Sequence, residues 1–348
     1  MWQVIGQTRA VSLLKHGLES GALVHAYLFI GPQHIGKMTL ALDLARALNC
    51  AAADRPCLEC VSCKKIGAGS HTDVQVIGLT QNEEEVETRR ISIDQIKDLQ
   101  HSANLPPFEG KHKVFIIDGA ELMSIEAANC LLKTLEEPVD KVTFILLSIN
   151  DRLLPATVVS RCQRLELQPL PIAEEAAALI EHRNMPPERA RLLAGLSHGC
   201  PGWAIAAAGD ESILEQRHED LNRVVDIIKA DYEERFAYVA RLAAGFTQNR
   251  GAVYDVLVRW LDYWRDLMLV KLGCYDMIAN IDRKDELIKM AGNYRLSRIK
   301  DFIKSIESAA EQLRQNVNTR LALEVLMLDI PKEEVTSPPI ISGGVRYG

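Results

Sequence analysis

The sequence predicts an α/β domain built on a parallel sheet, followed by all-α domains. Three observations carry this. In the first 170 residues, short apolar runs alternate with helical stretches, the pattern of a parallel sheet with helical crossovers. The run Ala26 to Ile30 leads into GPQHIGKMT and then into a helix pattern, the strand–loop–helix setting of a phosphate-binding loop. After Pro169-Leu170-Pro171 the strand signals give way to helical periodicity.

In chain order, Thr8 to Glu19 reads as an amphipathic helix with Val11, Leu13, Leu14 and Leu18 as its apolar set. In the loop that follows, Gly31 and Gly36 allow a tight turn, so that successive amides can face an anion. The helix N-terminus adds partial positive charge, and Lys37 is placed to reach the outer phosphates. The motif then calls for a hydroxyl residue to hold magnesium, and this chain has Met38. Thr39 is one residue later, turned about 100° around the helix, and is not expected to substitute. The loop therefore reads either as a cradle for ATP or ADP without the hydroxyl that orders magnesium, or as a relic of one.

The next helix ends near Cys50, and AADRPCLECVSCKK follows. Of eight cysteines, four are bunched as C-x6-C-x2-C-x2-C: Cys50, Cys57, Cys60 and Cys63. Four thiolates at this spacing close a tetrahedral zinc site with no open position, which makes it structural. Clustered cysteines in a reducing compartment indicate metal rather than disulfides.

Thr72 to Gly78 reads as a second strand and QNEEEVETRR as a solvated, charge-rich loop. ISIDQIKDLQHSANLPP reads as a helix with Ile93, Ile96 and Leu99 on one face. KVFIIDGAEL places Asp118 at a strand end, where an acid orders magnesium through water. SIEAANCLLKTLEEP is a helix closed by Pro138, and VTFILLS a fourth strand. Ser148, at its tip, is a candidate contact for a γ-phosphate or an attacking water. DRLLPATVVSRCQRLEL supplies a short helix, Ser160-Arg161-Cys162, and a fifth strand. In such a sheet the ligand lies at the carboxyl ends of the strands.

Residues 1–170 thus form the sheet domain, with the four-cysteine module at 50–63. Short helices at 171–210 form a small second domain and long helices at 211–330 a third; 331–348, rich in Pro, Gly and Ser, reads as a loose tail. In the third domain Val253, Leu257, Trp260, Leu261, Trp264 and Leu267 recur at helical spacing. The tryptophans read as core rather than as base-stacking platforms.

The net charge of −7 argues against a whole-surface footprint for nucleic acid. No apolar run approaches a membrane span, and the N-terminus has no signal-peptide pattern. A cytoplasmic protein without membrane contact is expected.

The motifs HAYLFIGPQHIGKMTLA, the cysteine insertion, VFIIDGAELM, NCLLKTLEEP, the Ser148 strand and SRCQ together resemble bacterial clamp-loader subunits of DNA polymerase III, of the AAA+ class. The resemblance covers about Val4 to Gly209, and LLKTLEEP followed by SRCQ is its most specific part. It implies an AAA+ P-loop domain with a zinc insertion, a small helical lid and a C-terminal helical collar. It also implies partners: motor (gamma/tau) and delta subunits, and, through the assembled complex, the sliding clamp and primed DNA.

Within this family the motor subunits hydrolyse ATP. Their strand-end acid is followed at once by a glutamate that polarises water; here Gly119 follows Asp118. Glu121, a little further on and assigned to the following helix, is not expected to reach the same place. The motors also carry a nucleotide-sensing arginine in the third lid helix, where GCPGWAIA offers Gly202 and Trp203. With Met38, three hydrolytic parts are missing, which matches the family's non-hydrolysing branch. Arg161 matches the arginine finger that the family projects into a neighbour's nucleotide site. Two other readings stand beside this one: an active motor-type ATPase, and a free-standing zinc- and nucleic-acid-binding module.

Overall fold

The computed structural model describes residues 1–79, 90–246, 250–314 and 317–333. Most of the charge-rich stretch QNEEEVETRR and most of the 331–348 tail lie outside the described residues. The chain divides into two compact units, Met1–Gly209 and Asp210–Gly348.

In the first unit the elements run α1 (Thr8–Ser20), β1 (Ala26–Ile30), α2 (Lys37–Asn49), α3 (Val61–Gly67), β2 (Val74–Ile77), α4 (Ile93–Ala103), β3 (Lys113–Asp118), α5 (Ile125–Glu136), β4 (Val142–Ser148), α6 (Ala156–Val159), β5 (Gln163–Glu166), α7 (Ile172–Arg183), α8 (Pro187–Leu196) and α9 (Pro201–Gly209). The five strands form one sheet in the order β2-β3-β4-β1-β5, and all their pairings are parallel. The expected α/β parallel sheet is therefore present. The central strands β1 and β4 are buried along their whole length, as two-sided cover by helices requires.

Local chemistry starts and stops these elements. Ser92 and Gln95 form a reciprocal capping box at the start of α4. Ser124 caps α5 by accepting from the Ala127 amide. Asp73, 3% exposed, accepts backbone N–H bonds from Phe108, Glu109 and Gly110, which pins the loop leading into β3. One detail differs from the sequence reading: Leu13 faces outward, and Ala10 and Leu14 carry the buried face of α1. A period of 3.6 places adjacent leucines on different faces.

The second unit is helical: α10 (Ser212–Lys229), α11 (Tyr232–Phe246), α12 (Arg250–Lys271), α13 (Lys284–Gly292), α14 (Leu296–Arg314) and α15 (Thr319–Leu328). Trp260 and Trp264 are buried among its apolar residues. Trp264 meets Phe302 edge-on at 4.8 Å between ring centroids, so both tryptophans are core. The Arg235 guanidinium donates to the carbonyls of Ile227, Ile228 and Met327, satisfying helix C-termini that would otherwise be orphaned. The fully buried carboxylate of Asp266 accepts from the Ala279 and Asn280 amides and from Asn280 Nδ2. Among the described residues, no helix is long and apolar enough to cross a membrane.

Candidate functional site

The phosphate loop joins β1 to α2 at the carboxyl edge of the sheet. Gly36 has a φ of 104° and His34 one of 60°, the left-handed turns that curl the loop back on itself. Register places β4 beside β1 and β3 beside β4, so Ser148 and Asp118 end at the same edge. Sheet order alone therefore brings Lys37, Asp118 and Ser148 together, as parallel topology requires.

The details of this edge suit a self-contained loop. Lys37 Nζ donates to the loop carbonyls of Gly31 (2.6 Å) and Pro32 (2.7 Å). Burial lowers the pKa of its ammonium, against the opposing charges of Glu121, Asp118 and Cys200. Met38 is partly buried and packs against the apolar cluster that includes Ile35, Leu40 and Leu44. Thr39 is also partly buried. The hydroxyl of Ser148 closes a local turn, donating to the Asn150 carbonyl at 3.0 Å and accepting from the Asn150 amide.

Gly119 has a φ of 71°, and a Cβ there would come within 2.9 Å of Leu122 Cδ1. A glutamate at that position would be strained in its backbone. The sequence expectation for Glu121 is corrected. It lies in a 3₁₀ turn, Ala120–Leu122, rather than in the following helix. That turn carries its carboxylate back to the tip of β4, where Oε1 accepts from the Ile149 amide at 3.4 Å. Its charge is the foremost of those acting on Lys37, and its Oε2 is buried without a partner.

The third of the small helices reaches the loop directly. The Gly202 amide at the start of α9 donates to the His34 carbonyl at 2.9 Å. A Cβ on Gly202 would lie 2.6 Å from that oxygen, so the approach needs glycine.

Arg161 lies at the other end of the sheet. It precedes β5, whose first residue, Gln163, pairs with Tyr27 near the start of β1, whereas Glu166 pairs with Ile30 beside the loop. Three steps of roughly 3.3 Å between the first and last of its four residues separate the two ends by about 10 Å. The Arg161 guanidinium donates to Thr157 O (2.8 Å) and Ser160 Oγ (3.3 Å), and pairs with Glu136 at 2.5 Å. Glu136 was not legible in the sequence as the partner of Arg161. Its signal is an acid in the last turn of a helix, where the dipole disfavours it.

The four clustered cysteines converge as expected. Their sulfurs all lie within 4.8 Å of one another, and all four are free of disulfides. A tetrahedral ion with about 2.3 Å bonds needs sulfurs about 3.8 Å apart, so the set fits a metal ion. Cys60 occupies the N-cap position of α3 and Cys63 sits in its first turn. The amides of Ala52 and Cys60 donate to the sulfurs of Cys50 and Cys57, the outer-shell bonds that thiolate ligands use. Backbone bonding, chiefly from the Cys63 amide, pulls the Cys60 thiol down to about 6, and burial pushes the Cys63 thiol up to about 12. Lys111 Nζ donates to the Cys50 carbonyl and ties the module to the sheet domain.

Comparison with known proteins follows the same division. Residues 6–171 match a family model described as DNA polymerase III, delta subunit, and residues 215–332 match its C-terminal counterpart. The chain is similar to the DNA polymerase III subunit delta' of Bacillus subtilis, at 28% identity over 92% of this chain and 95% of that protein. It is similar to the subunit tau of the same organism, at 39% identity over 47% of this chain, but it spans only 28% of tau's length. It is also similar to a subunit gamma of Buchnera aphidicola subsp. Schizaphis graminum, at 28% identity over 94% of this chain and 93% of that protein. Matched length therefore does not separate the branches.

Proposed function

The chain belongs to the clamp-loader family of DNA polymerase III subunits, and from that premise we propose that it is the delta-prime subunit. In this reading it helps place the sliding clamp on primed DNA without hydrolysing ATP itself. It sits in the cytoplasm beside motor (gamma/tau) and delta subunits, which it meets through its C-terminal helical domain. Gly31, Gly36, Lys37, Met38, Thr39, Asp118 and Ser148 form a loop site that retains a nucleotide cradle without magnesium chemistry of its own.

The observation that carries the reading is the separation of the loop and Arg161 across the sheet. A guanidinium at the amino end of β5 stands away from the loop at the carboxyl end of β1, which supports a phosphate target in another subunit. There Arg161 stabilises charge developing on the transferred phosphoryl group, a contribution of roughly 10³ to 10⁵ in rate for arginine fingers. The occupied lysine, the strained position 119 and the Gly202 contact support a loop relieved of hydrolysis.

The test is a reconstituted clamp loader. Arg161→Ala should cut clamp- and DNA-stimulated ATPase by about 10³ at the adjoining site, while the isolated chain shows no turnover. Turnover by the isolated chain would favour the motor-type alternative.

The cysteine module is read as a structural zinc site held by Cys50, Cys57, Cys60 and Cys63. Zinc would supply cross-linking of the loop to α3 and no open coordination position. Metal analysis of the purified chain should find one equivalent of zinc, lost in Cys63→Ser together with thermal stability.

A further inference from the structure

Arg161 is not free in the structure. Its Nη1 donates to Thr157 O and Ser160 Oγ, and its Nη2 pairs with the carboxylate of Glu136. The first two acceptors are neutral and lie within the same short segment, so they orient the guanidinium without cancelling its charge. Glu136 comes from a different element, as the last residue of α5. A carboxylate at that end faces the negative pole of the helix dipole, and the guanidinium offsets the cost.

We infer that Glu136 is the resting partner of Arg161, a positioning residue that holds and neutralises the finger until a neighbour's phosphoryl group takes its place. This rests on the finger reading of Arg161. A phosphoryl oxygen and the Glu136 carboxylate are both anionic acceptors for one guanidinium, so engagement is an exchange between them. The side chains are 34% and 49% exposed. An ion pair this open biases an equilibrium only about two- to fivefold, weak enough to be exchanged in each cycle. Thr157 O and Ser160 Oγ keep the guanidinium aimed while the exchange occurs.

The experiment uses the assembled clamp loader with clamp and primed DNA, measuring kcat and KM for ATP with four forms of this subunit: Glu136→Gln, Glu136→Asp, Arg161→Ala and the double variant Glu136→Gln/Arg161→Ala. Releasing the finger should raise kcat/KM about two- to fivefold in Glu136→Gln. Glu136→Asp, which keeps the charge, should stay near the unmodified protein. Glu136→Gln should change nothing on the Arg161→Ala background. A loss or no change in Glu136→Gln, or an equal change on both backgrounds, overturns the resting-partner role while the finger reading stands. If Arg161→Ala itself is silent, the finger reading falls and this inference falls with it.

Discussion

The two ends of the sheet hold their polar groups in opposite ways. At the carboxyl end, the loop's polar groups are satisfied within the chain: Lys37 by loop carbonyls, His34 O by the Gly202 amide, and Ser148 by Asn150. At the amino end, a charged group is held by a half-exposed ion pair that another anion can displace. On the proposed reading, the difference teaches that a nucleotide fold can keep its architecture while its chemistry moves to the opposite edge. Internal bonding makes the first end costly to reopen, because each bond would have to be replaced. Exposure makes the second end cheap to redirect.

The comparison breaks most visibly if Arg161→Ala leaves the complex's ATPase intact, since the largest effect, about 10³ in rate, is assigned there.

The next effect in size concerns the buried ground behind the lid. Glu175 on α7 is fully buried; its Oε1 accepts from Ser197 Oγ at 2.7 Å and its Oε2 has no partner. Burial pushes its carboxyl up to about 7, against the lowering influence of the Ser197 bond. Because the folded pKa lies above the unfolded value of about 4.3, the native state binds more protons between the two. Stability should therefore fall as pH rises from about 4.5 to 7 and level off above, by about 3 kcal/mol. Urea unfolding at pH 4.5 and pH 8 should show this loss in the unmodified chain and not in Glu175→Gln. A constant offset from the amide leaves the slope comparison intact. Equal slopes would mean that this side of the lid is wetter than the structure indicates.

The smallest effect is the most pointed. Met38→Thr restores the missing hydroxyl, yet Gly119 and the Gly202 contact remain. The isolated variant should lose about 1 kcal/mol of stability from reduced packing and gain no ATPase. Turnover would show that the carboxyl end is dormant rather than closed.

Much of this was legible in the chain. Period-2 and period-3.6 patterns marked the sheet and helices because burial enforces them. The four cysteines were readable because a metal site depends on ligand type and spacing. Trp260 and Trp264 were readable as core from their helical register. Glu121 was misjudged because its direction depends on a 3₁₀ turn set by the left-handed Gly119, a local geometry that residue type alone does not specify. Glu136 was missed because its partner is 25 residues away and meets it only after β4 and α6 are in place.

Residue identity by itself determined which groups stand at the motif positions: Met38, Gly119, and Gly202 with Trp203. It also determined which groups are available, four thiols and the arginine of SRCQ. Only the tertiary structure decided where these lie, because direction is a property of strand order. Parallel pairing of β5 with β1 put Arg161 and the loop at opposite ends of one sheet, and packing of α5 against α6 gave the guanidinium the carboxylate on which it rests.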